Sequence, residues 1–115
     1  IDHYRSAEDA YNALLKHEYD LVITDVMLKG TMDGLSLVRM IRATNSHTAK
    51  TPILAMTGHD DTQLRIDLLH VGINDYVTKP PVEEELAARV NNLITSGDTH
   101  RLQPCITIGK VGDFF

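Results

Sequence analysis

Short apolar runs alternate along this chain with segments whose apolar residues recur at helical spacing. Leu21, Val22 and Ile23 form one continuous run, Ile53 to Met56 a second, and Tyr76 with Val77 a third. None of the three alternates polar with apolar residues, which is the pattern of strands covered on both faces. Ile1 to Tyr4 reads as a weaker, edge-like strand. Between these runs, Ala7, Ala10 and Leu14 repeat at helical spacing behind Ser6, whose hydroxyl can cap a helix with Asp9 completing a capping box. Leu35, Val38 and Ile41 predict a second helix after Gly34, and Leu64, Leu68 and Val71 a third that Gly72 ends. A fourth follows Pro81, with Leu86, Val90 and Leu93 as its buried stripe. Strands alternating with helices predict βαβ units and hence an α/β fold on a parallel sheet.

The character changes after Ile94. TSGDTHRLQP is a polar connector containing Gly and Pro, and the CITIGKVGDFF that follows has the composition of a strand. The expected organisation is therefore one domain over residues 1–95, with 96–115 a linker plus an extra strand or the start of a following segment. For the connector, a disordered tail explains the composition equally well.

Composition narrows the function classes. With 115 residues and a hydrophobic fraction of 43%, the chain suits a single soluble core and leaves no room for a second domain. Eleven Lys and Arg against 16 Asp and Glu give a net charge of −5, so no basic face offers itself to nucleic acid or anionic lipid. Cys105 has no partner for an intramolecular disulfide, and a reducing cytoplasm is the simplest setting. No apolar run approaches the roughly 20 residues of a membrane span, and IDHYRSAEDA has neither the basic flank nor the apolar stretch of a signal peptide. The chain lacks an initiator Met and reads as a piece of something longer.

In a doubly wound parallel sheet, ligands sit beyond the carboxyl ends of the strands. Those ends are Asp25, Thr57 and Lys79. Singly, each has an ordinary explanation: a turn-forming Asp, a Thr before Gly58, an exposed loop cation. Together, a carboxylate, a hydroxyl and an ammonium on one rim suit phosphoryl transfer, in which a carboxylate attacks phosphorus to give an aspartyl phosphate. Mg²⁺ commonly neutralises charge in such sites, asking of the protein only one or two carboxylates and a carbonyl. Lys79 would bring a point charge to the phosphoryl oxygens and Thr57 a hydroxyl donor.

YDLVITDVML, MDGLSLVRMIR, TPILAMTG and NDYVTKP, in this order, resemble the receiver domain of two-component response regulators over roughly residues 1–95. A strand-terminal Asp25, the Asp33-Gly34 pair eight or nine residues on, Thr57 and Lys79-Pro80 make this pattern specific. The resemblance implies a flavodoxin-like (CheY-like) fold with strand order 2-1-3-4-5 and a signalling phosphoacceptor rather than an enzyme. It implies Asp25 as the residue that takes phosphate from a phosphohistidine, with Asp25 and the backbone carbonyl of Met27 as Mg²⁺ ligands. Thr57 and Lys79 correspond to the groups that meet the phosphoryl, Tyr76 to an aromatic switch, and Pro80 to a cis-proline that aims Lys79. The implied partners are a sensor histidine kinase or histidine phosphotransfer domain, with a receiver homodimer as a further option, docking on the face built by residues 62–94.

The start of the chain departs from this pattern. IDHYRSAEDAYNALL aligns with the family's second strand and helix, so the first strand and helix, and the acid pair that helps hold Mg²⁺, are missing. Three readings follow. The missing strand precedes Ile1 in a longer parent; or CITIGKV fills the vacant slot with Asp113 near the rim; or the domain is degenerate and serves as a phosphorylation-independent docking module. Smaller departures are Lys29 in place of a frequent Pro, one extra residue in the Gly30 to Gly34 loop, and Pro81 in place of a frequent aromatic. His59 reads as an exposed loop residue, Asp60 and Asp61 as caps of the third helix, and Glu83 to Glu85 as acidic partners of a helix dipole.

Overall fold

The structure is a computed structural model that describes residues 2–26, 33–58, 62–94 and 105–109. The elements, in chain order, are β1 (Asp2–Tyr4), α1 (Ala7–Lys16), β2 (Leu21–Asp25), α2 (Gly34–Arg42), a 3₁₀ turn (His47–Lys50), β3 (Ile53–Thr57), α3 (Thr62–Val71), β4 (Asp75–Thr78), α4 (Glu83–Ile94) and β5 (Cys105–Ile108). All strand pairs are parallel, in the order β1-β5-β2-β3-β4.

The continuous apolar runs become the central strands because both faces of the sheet are covered. Every residue of β2 and β3 is buried. On one face, Val22, Ile53, Ala55, Ile106 and Ile108 pack with Leu14 of α1, Leu37 and Ile41 of α2, and Leu68 of α3. On the other, Leu21, Ile23, Leu54, Met56 and Val77 meet Leu86, Val90 and Leu93 of α4. Strand alternation thus sends successive residues into opposite layers of one α/β fold. Among the helix caps, Ser6 Oγ accepts from the Asp9 amide at 3.2 Å, and the Asp33 carboxylate accepts from the Ser36 amide at 2.8 Å. That second bond holds the Asp33 carboxyl below its usual range.

In α2 the buried stripe differs from the expected Leu35, Val38 and Ile41. Gly34, Leu37, Val38 and Ile41 are buried, whereas Leu35 is only partly covered. The helix is flanked by α1 and α3 as well as by the sheet, so its covered arc is wider than a one-sided helix requires.

The vacant slot expected between the first two apolar strands is filled. β5 pairs with β1 from Asp2↔Ile106 to Tyr4↔Ile108, and with β2 from Leu21↔Cys105 to Thr24↔Ile108. Of the three readings of the chain start, the one that brings CITIGKV into the sheet describes this arrangement; Asp113 lies outside the described residues. β1 is at the sheet edge, as its sequence suggested, and its described strand partner is β5.

Arg42, in the last turn of α2, ties three connections together. Its guanidinium donates to the carbonyls of Ala49 (2.9 Å), Thr51 (2.7 Å) and Gly72 (2.8 and 2.9 Å) and to Asn74 Oδ1 (2.9 Å). Asn74 Oδ1 also accepts from the Ile53 amide at 2.8 Å, so the entry to β3 hangs on the same cluster. Arg42→Met keeps the aliphatic stem but leaves these carbonyls short of donors. The expected loss is about 2–3 kcal/mol of stability, measured as a lowered urea midpoint with an unchanged slope.

Candidate functional site

Parallel strands place their carboxyl ends on one rim, and the register fixes which residues meet there. Asp25 is level with Met56, one residue before Thr57, and Thr57 is level with Thr78, one residue before Lys79. The Lys79 amide donates to the Thr57 carbonyl at 2.7 Å, which holds the β4 exit against β3. Asp25 and Lys79 therefore stand two strands apart, about 10 Å at the backbone. That gap is one a lysine side chain can close. Lys79 Nζ lies 2.5 Å from Asp25 Oδ1, across the end of β3. Asp25 is 1% exposed and Thr57 3%, so the carboxylate sits inside the protein with an ammonium beside it. The Lys79–Pro80 peptide bond is cis.

Asp25 is anchored from behind. The Val26 amide donates to the Met56 carbonyl at 2.9 Å, Thr24 Oγ1 donates to the Asp25 carbonyl at 3.0 Å, and the Gly34 amide donates to the Val26 carbonyl at 3.0 Å. The last bond brings the first turn of α2 against the end of β2. A Cβ on Gly34 would lie 2.4 Å from the Asp25 carbonyl oxygen and 2.9 Å from both Cα and O of Val26. The Asp33-Gly34 pair thus has a physical basis in this chain: the first residue caps α2 and the second permits its backbone to touch β2. Gly34→Ala is expected to push α2 outward and cost about 1–3 kcal/mol, with amide shifts centred on 24–26 and 33–38 in an NMR spectrum.

Tyr76 is not at the rim. It pairs in register with Ala55, is half-buried on the α1–α3 face, and lies beneath α3. The structure thus brings Asp25, Thr57 and Lys79 together and sets Tyr76 one step inside, while Met27 and His59 lie outside the described residues. Sequence reasoning missed Arg65 of α3, whose guanidinium carbon stands 5.2 Å from the centre of the Tyr76 ring. Its position one residue after the buried-stripe residue Leu64 was the only available signal.

The fit of Mg²⁺ can be judged from the donors. Among the described residues no group of three His, Cys, Asp or Glu side chains is placed to hold a metal ion. The residue after β5, on the strand beside Asp25, is Gly109, which brings no side chain. Among the described residues, the rim thus offers Mg²⁺ the Asp25 carboxylate, which already pairs with Lys79. Among the described residues there is also no helix long and apolar enough to cross a membrane.

Comparison with known proteins agrees with this arrangement. A family profile described as the response regulator receiver domain matches residues 1–91. The response regulator ArlR of Staphylococcus aureus is 36% identical over 94 residues, covering 82% of this chain and 41% of that protein. The uncharacterized transcriptional regulatory protein YkoG of Bacillus subtilis is 35% identical, covering 79% of this chain and 43% of that protein. The chain therefore spans less than half the length of these relatives. Among solved structures, a two-component response regulator from Clostridium difficile superposes with a TM-score of 0.75 at 28% identity, covering 86% of this chain and 78% of that one. The receiver domain of the sensor histidine kinase PA1611 from Pseudomonas aeruginosa, which has a magnesium ion in its active site cleft, gives 0.70 at 30% identity, covering 79% and 73%. A buried strand-end aspartate with a lysine across the rim, on a parallel five-stranded sheet, is thus accompanied by relatedness over most of the chain, and the chain belongs to the response regulator receiver domain family.

Proposed function

We propose that this chain is the phosphoacceptor module of a two-component system and that Asp25 takes the phosphoryl group. The donor is a phosphohistidine on a sensor histidine kinase or a histidine phosphotransfer domain. An Asp25 carboxylate oxygen attacks phosphorus, the N–P bond breaks with its electron pair returning to the imidazole nitrogen, and an acyl phosphate remains on Asp25. The observation that carries this reading is the ion pair between buried Asp25 and Lys79 across the end of β3. Lys79 can follow the charge from carboxylate to phosphoryl oxygens, and the Thr57 hydroxyl can donate to them from the neighbouring strand. In this way the chain assists its own phosphorylation.

Phosphorylation adds a charge of about −1.5 to −2 at the rim. Thr57 and Lys79 moving toward it leave room beside β4, into which Tyr76 turns. The face of α3, β4 and α4 then changes, and this is the face offered to partners or to a second receiver. Ile66 and Leu69 are exposed apolar residues on α3 within that face. Mg²⁺ would neutralise charge between carboxylate and phosphate, drawing ligands besides Asp25 from outside the described residues, with the Met27 carbonyl as the named candidate. A cytoplasmic location fits such a module.

The test is incubation of the chain with acetyl phosphate, with and without MgCl₂, followed by intact-mass analysis and mapping of the modified residue after borohydride reduction. One phosphoryl group at residue 25 is expected. Absence of uptake in both conditions, or uptake at another residue, would overturn the reading.

A further inference from the structure

Tyr76 sits one step inside the rim, on the sheet face against which α3 packs. Strand alternation puts Tyr76 and Thr78 of β4 on the same side of the sheet, three and one residues before Lys79. Arg65, half-buried near the middle of α3, stands over the face of the Tyr76 ring at 5.2 Å, inside the range where a guanidinium is held by the negative face of an aromatic ring. The contact joins α3 to β4 through a side chain that an inward rotation would carry away from the cation. A ring turned toward the sheet interior cannot keep its face under Arg65, so the contact belongs to one of two ring positions only. A ligand or contact that favours one of two states shifts their balance by its differential free energy.

We propose that Arg65 is a positioning residue that latches Tyr76 in the half-buried place it occupies beside α3, and so sets how readily the domain switches. The inference rests on the switching role given above to Tyr76. Loss of the cation removes a stabilisation that exists only while the ring keeps this place. The inward population and the apparent affinity for a phosphoryl mimic should then rise about two- to fivefold, the factor a half-exposed contact of this kind supports.

The experiment uses ¹³C-ring-labelled tyrosine in the whole chain, where Tyr4, Tyr11, Tyr19 and Tyr76 give four signals and Tyr76→Leu identifies the relevant one. In the wild type the Arg65 δ protons are shifted upfield by the ring, and Tyr76→Leu abolishes that shift. Arg65→Gln moves the free-state Tyr76 signal toward its beryllofluoride-saturated position and lowers the titration midpoint two- to fivefold, whereas Arg65→Lys, which keeps the cation, stays near the wild type. Unchanged Tyr76 signals in Arg65→Gln, or an Arg65→Lys variant that behaves like Arg65→Gln, overturn the latch. If the wild type does not respond to beryllofluoride with MgCl₂ present, the phosphoacceptor reading fails. The latch is then decided by the free-state arm: gain of a second Tyr76 rotamer in Arg65→Gln supports it, and an unaltered rotamer overturns it.

Discussion

A chain ending at Ile94 is expected to lose its cooperative unfolding transition. β5 is not an appendage on the sheet edge but its second strand, and Ile106 and Ile108 are fully buried in the core shared with α1 and α2. Removing it deletes the ladders to β1 and β2 together with the bond from the Gly109 amide to the Tyr4 carbonyl. It also strands β1, for which β5 is the described neighbour. Truncating one buried isoleucine to alanine costs about 2–5 kcal/mol, and a whole domain has only about 5–15 kcal/mol of stability. Two buried isoleucines and two strand pairings together exceed what a domain of this size retains. Ile106→Ala and Ile108→Ala give the graded version, each lowering the urea midpoint while preserving the transition. Circular dichroism across a urea series checks all three. A truncated chain that unfolds at the same midpoint and with the same slope as the whole chain would show that β5 is dispensable.

The place of β5 was not legible as a single answer because a four-residue run, CITI, carries no record of which neighbours it pairs with. Strand partners are set by long-range fit: here the gap between β1 and β2 and the burial available to Ile106 and Ile108. By contrast β2 and β3 were plain, since a run apolar at every position can only be satisfied by cover on both faces. The rim was legible for a related reason. Once the strands are parallel, their last residues must share an edge, so Asp25, Thr57 and Lys79 were found without knowing a single distance. Arg42 and Arg65 show where such reasoning stops. An Arg in the last turn of a helix reads as a partner of the helix dipole. That Arg42 instead serves carbonyls 7 to 30 residues away depends on how the loops fold back. Arg65 over Tyr76 likewise depends on how α3 lies across β4, which no local spacing encodes.

Asp25→Asn is expected to abolish phosphoryl uptake entirely while leaving the fold close to intact, and Lys79→Met to do the more damage to stability. An amide has nearly the shape of a carboxylate but is a far poorer nucleophile, so no acyl phosphate can form at residue 25. Its effect on folding is small, because the Lys79 side chain is 25% exposed and can carry its ammonium toward water when the carboxylate is neutralised. The loss should be about 1 kcal/mol. The reverse deletion is not symmetrical. The Asp25 side chain is 2% exposed at the end of a central strand and cannot follow its partner out, so Lys79→Met leaves a buried carboxylate without its ammonium. Breaking a buried pair from that side costs about 3–5 kcal/mol. The double variant, in which neither charge remains, should recover much of the difference, since the coupling between the two sites is the quantity being removed. Urea unfolding of the four proteins gives that coupling, and acetyl phosphate labelling gives the chemistry. Uptake surviving in Asp25→Asn would place the acceptor elsewhere, and a Lys79→Met variant no less stable than Asp25→Asn would mean that Lys79 does not balance the buried carboxylate.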